Sequence, residues 1–293
     1  MENKYEKKFF LRTDILPEEI PALFSNKQIY MEFTEKDLEK IKDKVIKNLS
    51  TVPLFYNIPK SDKSERKIAL LHPLAQLQAF NYIVKYEQLI VSHCKKSQYS
   101  VRSPIKRNVP KLMANQRISN ELKKIEEEFN IENKVTVTSD EDKIEYLNYF
   151  SYNRYKSISE MMKSVKFRRD SYKYEVFMKL DVQRCFPSIY THSLSWALFG
   201  DKALAKNKRS IKNCFPNDSD NIMQKINFNE THGIVVGPEF SRVIAELLFT
   251  KIDTNLLIKL YKKKYVNKKD YTIYRFIDDY FIFAHNQEIL KEI

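Results

Sequence analysis

Glycine is nearly missing from this chain: its 293 residues include only three, at positions 200, 233 and 237. Two of them share one short loop, so that loop is expected to need positive φ or a close approach to its backbone. Cysteine is equally sparse. Cys94, Cys185 and Cys214 are odd in number and unclustered, which excludes a cysteine zinc site and fits a reducing compartment. No apolar stretch reads as a membrane span, and the charged N-terminus has no apolar secretory core. A cytoplasmic protein with no membrane partner is expected. Internal repeats and low-complexity tracts are also missing.

What is present is positive charge and aromatic carbon. The formal net charge is +13 and the sequence pI about 9.3, which suggests a polyanionic partner, nucleic acid foremost, although a lysine-rich surface also serves solubility. A hydrophobic content of 43% with 13% aromatics marks a globular chain, long enough for a sizeable core and two subdomains.

The aromatic residues concentrate in YTIYRFIDDYFIF, residues 271–283. Runs 271–277 and 280–283 read as two strands, with Asp278 and Asp279 as the tight turn between them. Aspartate is a favoured turn residue for local reasons, but a doubly acidic tip held between buried strands also suits a cation. A second acidic strand end lies upstream. The run 176–180 ends at Asp181, is followed by a turn region closed by Pro187, and leads into a helix from about Thr191. Between the two lies ETHGIVVGPEFSRVIAELLFTKID. Here Gly233 and Gly237 bracket a loop, Pro238 suits the first helical position, and Phe240, Val243, Ile244, Leu247 and Leu248 give a helix one buried face. Arg242 and Glu246, four apart, are expected to pair on its surface.

Elsewhere the signals are local. Thr34 and Asp37 mark the start of a helix over 33–49 with a stripe of Leu38, Ile41, Val45 and Ile46. Lys60, Lys63, Arg66 and Lys67 fall at the tip of an expected hairpin, as an exposed charged turn or a cover for a triphosphate. Pro73 starts an interior helix capped by His72. Arg102, Lys106, Arg107 and Lys111 lie on an expected loop, either solvated or on a nucleic-acid backbone. Residues 119–150 read as connector, with a charged helix at 121–129 and an acidic turn at 139–142. Ser157 and Glu160 form a capping box. Lys163, Lys166, Arg168, Arg169 and Lys173 make a dense basic patch, with Tyr149, Tyr152, Tyr155 and Tyr172 nearby as stacking platforms or core.

The blocks LDVQRCF, GIVVGPEFSR and FIDD, in that order, resemble motifs A, B and C of the reverse-transcriptase palm. CFPSIYTHSLSWA and ETHGIVVGPEFSRVIAEL resemble, more narrowly, the bacterial defence-associated reverse transcriptases that include the abortive-infection enzymes. The resemblance covers roughly residues 51–293. It implies an α+β right-hand polymerase, with fingers about 51–175, a palm about 176–293 and an N-terminal helical extension over 1–50. The implied activity is RNA-directed DNA synthesis in antiphage defence, with an RNA template, a DNA product and dNTPs.

The resemblance also implies roles. Asp181 and Asp278 would ligate two Mg²⁺ ions, with Mn²⁺ as a substitute, Asp279 as the third carboxylate and the main-chain carbonyl of Val182 as a further ligand. Lys60 and Arg66 would contact the incoming phosphates, and Arg184 the triphosphate. Phe186, under the sugar, would exclude a 2′-hydroxyl and select dNTPs. Gly237 would approach the templating base or nucleotide. Arg102, Lys106, Arg107, Arg168 and Arg169 are the expected template or nucleic-acid contacts.

Three departures stand against the pattern: Phe276 replaces the usual tyrosine before the aspartates, Val236 replaces a common glutamine, and the family's primer grip and thumb do not follow within the 293 residues. The expectation is a fragment, or an enzyme completed by another chain or by a homo-oligomer. Two other functions stay open, an RNA-dependent RNA polymerase and a non-catalytic nucleic-acid-binding or assembly subunit.

Overall fold

The computed structural model describes Lys7 and residues 10–13, 49–61, 64–108, 148–155 and 157–293. The helix expected at 33–49, apart from Leu49, and the helix and turn expected at 121–129 and 139–142 lie outside them, as does Lys111. The order is α1 (Phe10–Thr13), β1 (Leu54–Ser61), β2 (Ser64–Leu70), α2 (Pro73–Cys94), β3 (Pro104–Arg107), β4 (Phe150–Tyr152), α3 (Ile158–Lys163), α4 (Val165–Lys173) and β5 (Val176–Asp181). Then come α5 (Cys185–Ser188), α6 (His192–Phe199), α7 (Lys202–Asn207), α8 (Phe215–Lys225), α9 (Glu239–Lys262), β6 (Tyr271–Phe276), β7 (Asp279–Ala284) and α10 (Gln287–Glu292). The class is mixed α+β, as expected.

Several starts follow local chemistry. At α2 the proline ring occupies a position whose N–H has no helical partner, and His72 Nδ1 accepts from the Leu74 N–H at 3.2 Å. Ser157 Oγ accepts from the Glu160 N–H at 3.1 Å to open α3. The expected hairpin is β1–β2, antiparallel, with Ile58 opposite Arg66.

The central sheet has the order β5-β7-β6, antiparallel throughout. Alternation along β6 and β7 gives it two apolar faces. Tyr271, Ile273, Tyr280 and Ile282 join the larger core, which includes α9 and α2. Tyr274, Phe276, Phe281 and Phe283 join a second core under α3 and α4. There the Phe167 ring lies 5.0 to 6.0 Å from the rings of Phe283, Tyr274 and Phe281. Burial on both faces explains why β6 and β7 are apolar on both sides, unlike a half-solvated strand.

Helix α9 departs from the expected single buried face. Every residue from Glu239 to Leu247 is buried, because α2, the sheet and the segment around Ser97–Arg102 enclose its first turns. Arg242 and Glu246 therefore do not meet on a surface. Arg242 instead donates to Glu239 at 3.0 Å, and Glu246 pairs with Arg275.

The loop before α9 explains the placement of two glycines. Gly233 (φ +83) donates its N–H to Ile189 O at 2.8 Å, and a Cβ there would lie 3.0 Å from Pro187 O. At Gly237 (φ +121) a Cβ would lie 2.4 Å from Ile68 Cγ2 and 3.1 Å from Ala69 O, while the Ala69 N–H donates to Val236 O at 2.7 Å. Both expected needs are present, and the backbone approaching Gly237 is that of β2. Gly237→Ala combines an unfavourable φ with a methyl clash against a stiff β-branched side chain. It is expected to lower stability by about 2 kcal/mol or more, read as a fall in the urea midpoint at unchanged m-value.

Candidate active site

The acidic hairpin differs from its expected register by one residue. Phe276 pairs with Asp279 and closes a two-residue turn of Ile277 and Asp278, so Asp279 belongs to β7 and stands opposite Asp181 on β5. Ile277 has φ +57, the sign that a type II′ hairpin turn requires at its first central position. A β-branched residue strongly disfavours this region, which is why pattern reading extends the strand through it. Two contacts hold it there: the Ile277 carbonyl accepts from Arg275 Nη1 at 3.0 Å, and its side chain packs on the second core.

Arg275 is the residue that sequence reading missed. It is fully buried near the end of β6, one residue before Phe276. Nε donates to Asp253 Oδ2 at 2.9 Å, and Nη1 and Nη2 donate to Glu246 Oε2 and Oε1 at 2.8 and 2.7 Å. Asp253 also accepts from Ser97 Oγ and the Tyr280 hydroxyl at 2.5 and 3.1 Å. Burial alone would raise the Glu246 carboxyl, but the Arg275 charge and its paired hydrogen bonds outweigh burial and hold it below the usual range. The available signal was a lone cation on the inward phase of an aromatic strand, a position that demands buried carboxylates elsewhere.

The structure brings several expected residues together around the turn. Burial raises the Asp278 carboxyl and Asp279 and Asp181 raise it further, opposed by a hydrogen bond from its own backbone and, to a smaller extent, by the positive charge of Arg66 on β2. Cys185, buried below, is pushed up to about 12 by burial and by the negative charges of Asp278 and Asp181. The Val182 carbonyl accepts from the Cys185 N–H at 3.1 Å, which uses one of its two lone pairs. Arg184 holds φ +49 and opens α5 without a side-chain cap. Phe186 is half-buried against the larger core, and its carbonyl accepts from the Ile234 N–H at 2.9 Å. The glycine loop thereby lies against the turn that follows Asp181.

Other expected residues sit apart. Arg102 is buried: Nη2 donates to Glu239 Oε1 at 3.1 Å, and the guanidinium lies 4.1 Å from the Tyr152 ring centroid. Its segment is not an open loop, since the Val101 N–H donates to Arg275 O at 2.9 Å, the Arg275 N–H donates to Tyr99 O at 2.8 Å, and Pro104–Arg107 is β3. Arg107 approaches Glu87 at 3.9 Å, whereas Lys106, Arg168 and Arg169 are exposed. The Lys60 side chain lies outside the described residues. Tyr149 is core, while Tyr172 is 90% exposed.

Among the described residues no three His, Cys, Asp or Glu side chains are gathered into a ready-made metal cage. The donor chemistry nevertheless suits a hard divalent cation: carboxylate oxygens of Asp181 and Asp278, a spare lone pair at Val182, and a crowding of negative charge that a cation relieves. Asp279 is engaged by Lys179 at 3.1 Å.

Two outcomes are expected. Arg275→Met leaves two buried carboxylates without their cation and should cost about 3–5 kcal/mol, measured by chemical denaturation. The folded Asp278 carboxyl titrates above its unfolded counterpart, so its ionisation opposes folding at neutral pH and ceases to do so once it is protonated. Asp278→Asn should therefore melt above the parent near neutral pH, with the gap closing as the pH falls through the carboxylate range.

No protein-family model matches the sequence and no curated protein matches it. Among solved structures the fold is distantly similar to Candida tropicalis apo telomerase truncated from the C-terminal domain, at 13% identity and TM-score 0.37, over 83% of this chain and 45% of that one. It is similar at 11% identity and TM-score 0.41 to Candida albicans telomerase in complex with a TWJ fragment of telomeric RNA, over 85% of this chain and 40% of that one. A second structure of Candida tropicalis apo telomerase gives 13% and 0.39, over 83% and 40%. The chain spans less than half the length of each of these. It is a mixed α+β protein with a weak structural likeness to telomerase.

Proposed function

We propose that this chain is the fingers (about 51–175) and palm (about 176–293) of an RNA-directed DNA polymerase of bacterial antiphage defence. The observation that carries the reading is the placement of Asp181 opposite Asp279 on neighbouring strands, with Asp278 on the adjoining turn. The motif order and the contact of β2 with the glycine loop support it.

Asp181 and Asp278, with the Val182 carbonyl, would hold divalent cations. Bound Mg²⁺ would supply Lewis-acid stabilisation for attack of a 3′-hydroxyl on an α-phosphate. The remaining roles belong to side chains. Arg66, with Lys60 on the same hairpin, would neutralise the triphosphate, and Arg184 would assist from the turn after Asp181. Phe186 would leave no room for a 2′-hydroxyl. Gly237 would act indirectly, by allowing β2 to seat against the loop. Lys106, Arg168 and Arg169 offer exposed charge to a nucleic-acid backbone.

The test is incorporation of labelled dNTPs and NTPs with Mg²⁺, with and without copurifying RNA. DNA synthesis that falls by at least ~10³-fold in both Asp181→Ala and Asp278→Ala is the expected result, and Phe186→Ala should raise the use of NTPs relative to dNTPs. Unchanged nucleotide choice in Phe186→Ala would favour RNA synthesis. RNA binding without incorporation, unaltered by Asp278→Ala, would make the chain a binding subunit.

A further inference from the structure

Asp181, Asp279, Lys179 and Phe281 form a two-by-two lattice on one face of the sheet, with Asp181 opposite Asp279 and Lys179 opposite Phe281. Like charges directly opposite on neighbouring strands repel. Lys179 answers that repulsion along the diagonal. Its Nζ lies 3.1 Å from Asp279 Oδ1 and 5.3 Å from the Phe281 ring centroid, so the ring face and the carboxylate both favour the same position for the ammonium. The lysine side chain is 52% exposed and that of Asp279 only 20%. The cation thus approaches from the solvent side onto a largely covered carboxylate.

We propose that Lys179 is the resident counterion of the acidic site: it keeps Asp279 from the divalent cation and leaves Asp181 and Asp278 to bind it. The inference rests on the reading of Asp181 and Asp278 as cation ligands. With Lys179 in place the three carboxylates present two net negative charges, not three, so cation affinity is held below what the carboxylates alone would set. Incoming phosphates would then supply the missing negative ligands. A lysine that only guards an edge strand, or only forms a surface ion pair, has no such influence on a bound metal.

The test is Mn²⁺ binding to the nucleotide-free protein at low ionic strength, read from the electron paramagnetic resonance of the free ion. Lys179→Met keeps an apolar stem over Phe281 and removes the charge. Its Kd for Mn²⁺ should fall roughly five- to tenfold, while Lys179→Arg keeps the parent value. Asp279→Asn alone should weaken binding, because the lysine is then uncompensated, and Lys179→Met with Asp279→Asn should return to near the parent value. Equal affinity in Lys179→Met and parent, with binding lost in Asp278→Asn, would overturn the counterion role and leave the acidic site standing. A double variant as weak as Asp278→Asn would make Asp279 a direct ligand and also overturn the role. If parent and Asp278→Asn bind alike, or neither binds, both readings fall together.

Discussion

A guanidinium with no exposure to water must find a partner for every N–H, and in this protein that requirement organises the centre of the molecule. Arg275 reaches two carboxylates on α9 and the carbonyl of the acidic turn, while its own backbone bonds to the segment at Tyr99 and Val101. One residue thus fixes the helix, the hairpin and the segment beside them. Replacing such a cluster wholesale with hydrophobic side chains is often neutral for stability. Its value here lies in geometry, because planar, forked donors set positions that apolar packing leaves softer.

The charge nearby is arranged in two buried groups of opposite composition. Arg275 faces two acids, Glu246 and Asp253, whereas Glu239 faces two cations, Arg102 and Arg242. Both groups use α9. Strained backbone also flanks the acidic site: Arg184, three residues after Asp181, and Ile277, one before Asp278, both hold positive φ. Such conformations persist only where the surroundings over-determine them, and the Arg275 bond to the Ile277 carbonyl supplies one such constraint.

Much of this was legible in the sequence, for reasons that differ by residue. The strands of the central sheet announced themselves by aromatic and β-branched runs, α2 by Pro73 and His72, and α3 by Ser157 and Glu160, since these are local preferences. The scarcity of glycine located the loop before α9. The one-residue shift at Ile277 was hidden because local preference and tertiary contact conflict there, and the tertiary contact prevailed. Arg242 and Glu246 looked like an ordinary surface pair, because spacing along a helix does not reveal what lies across from it. Arg102 was placed on a loop for the same reason: its partners, Glu239 and Tyr152, are far away in the chain.

The contact between β2 and the loop before α9 has a mechanical side. The Ala69 N–H meets Val236 O directly, and next to it Gly237 has no side chain to act as a cushion. Close-packed joints of this kind transmit displacement instead of absorbing it. Two residues further on, Glu239 is gripped by Arg102, whose guanidinium lies 5.9 Å from the ring centroid of Phe276 beside the turn. A displacement of β2 at Ala69 would therefore drag on the first turn of α9. Any bending of the hairpin that leaves α9 in place has its hinge beyond Ala69, in the part that leads away from it.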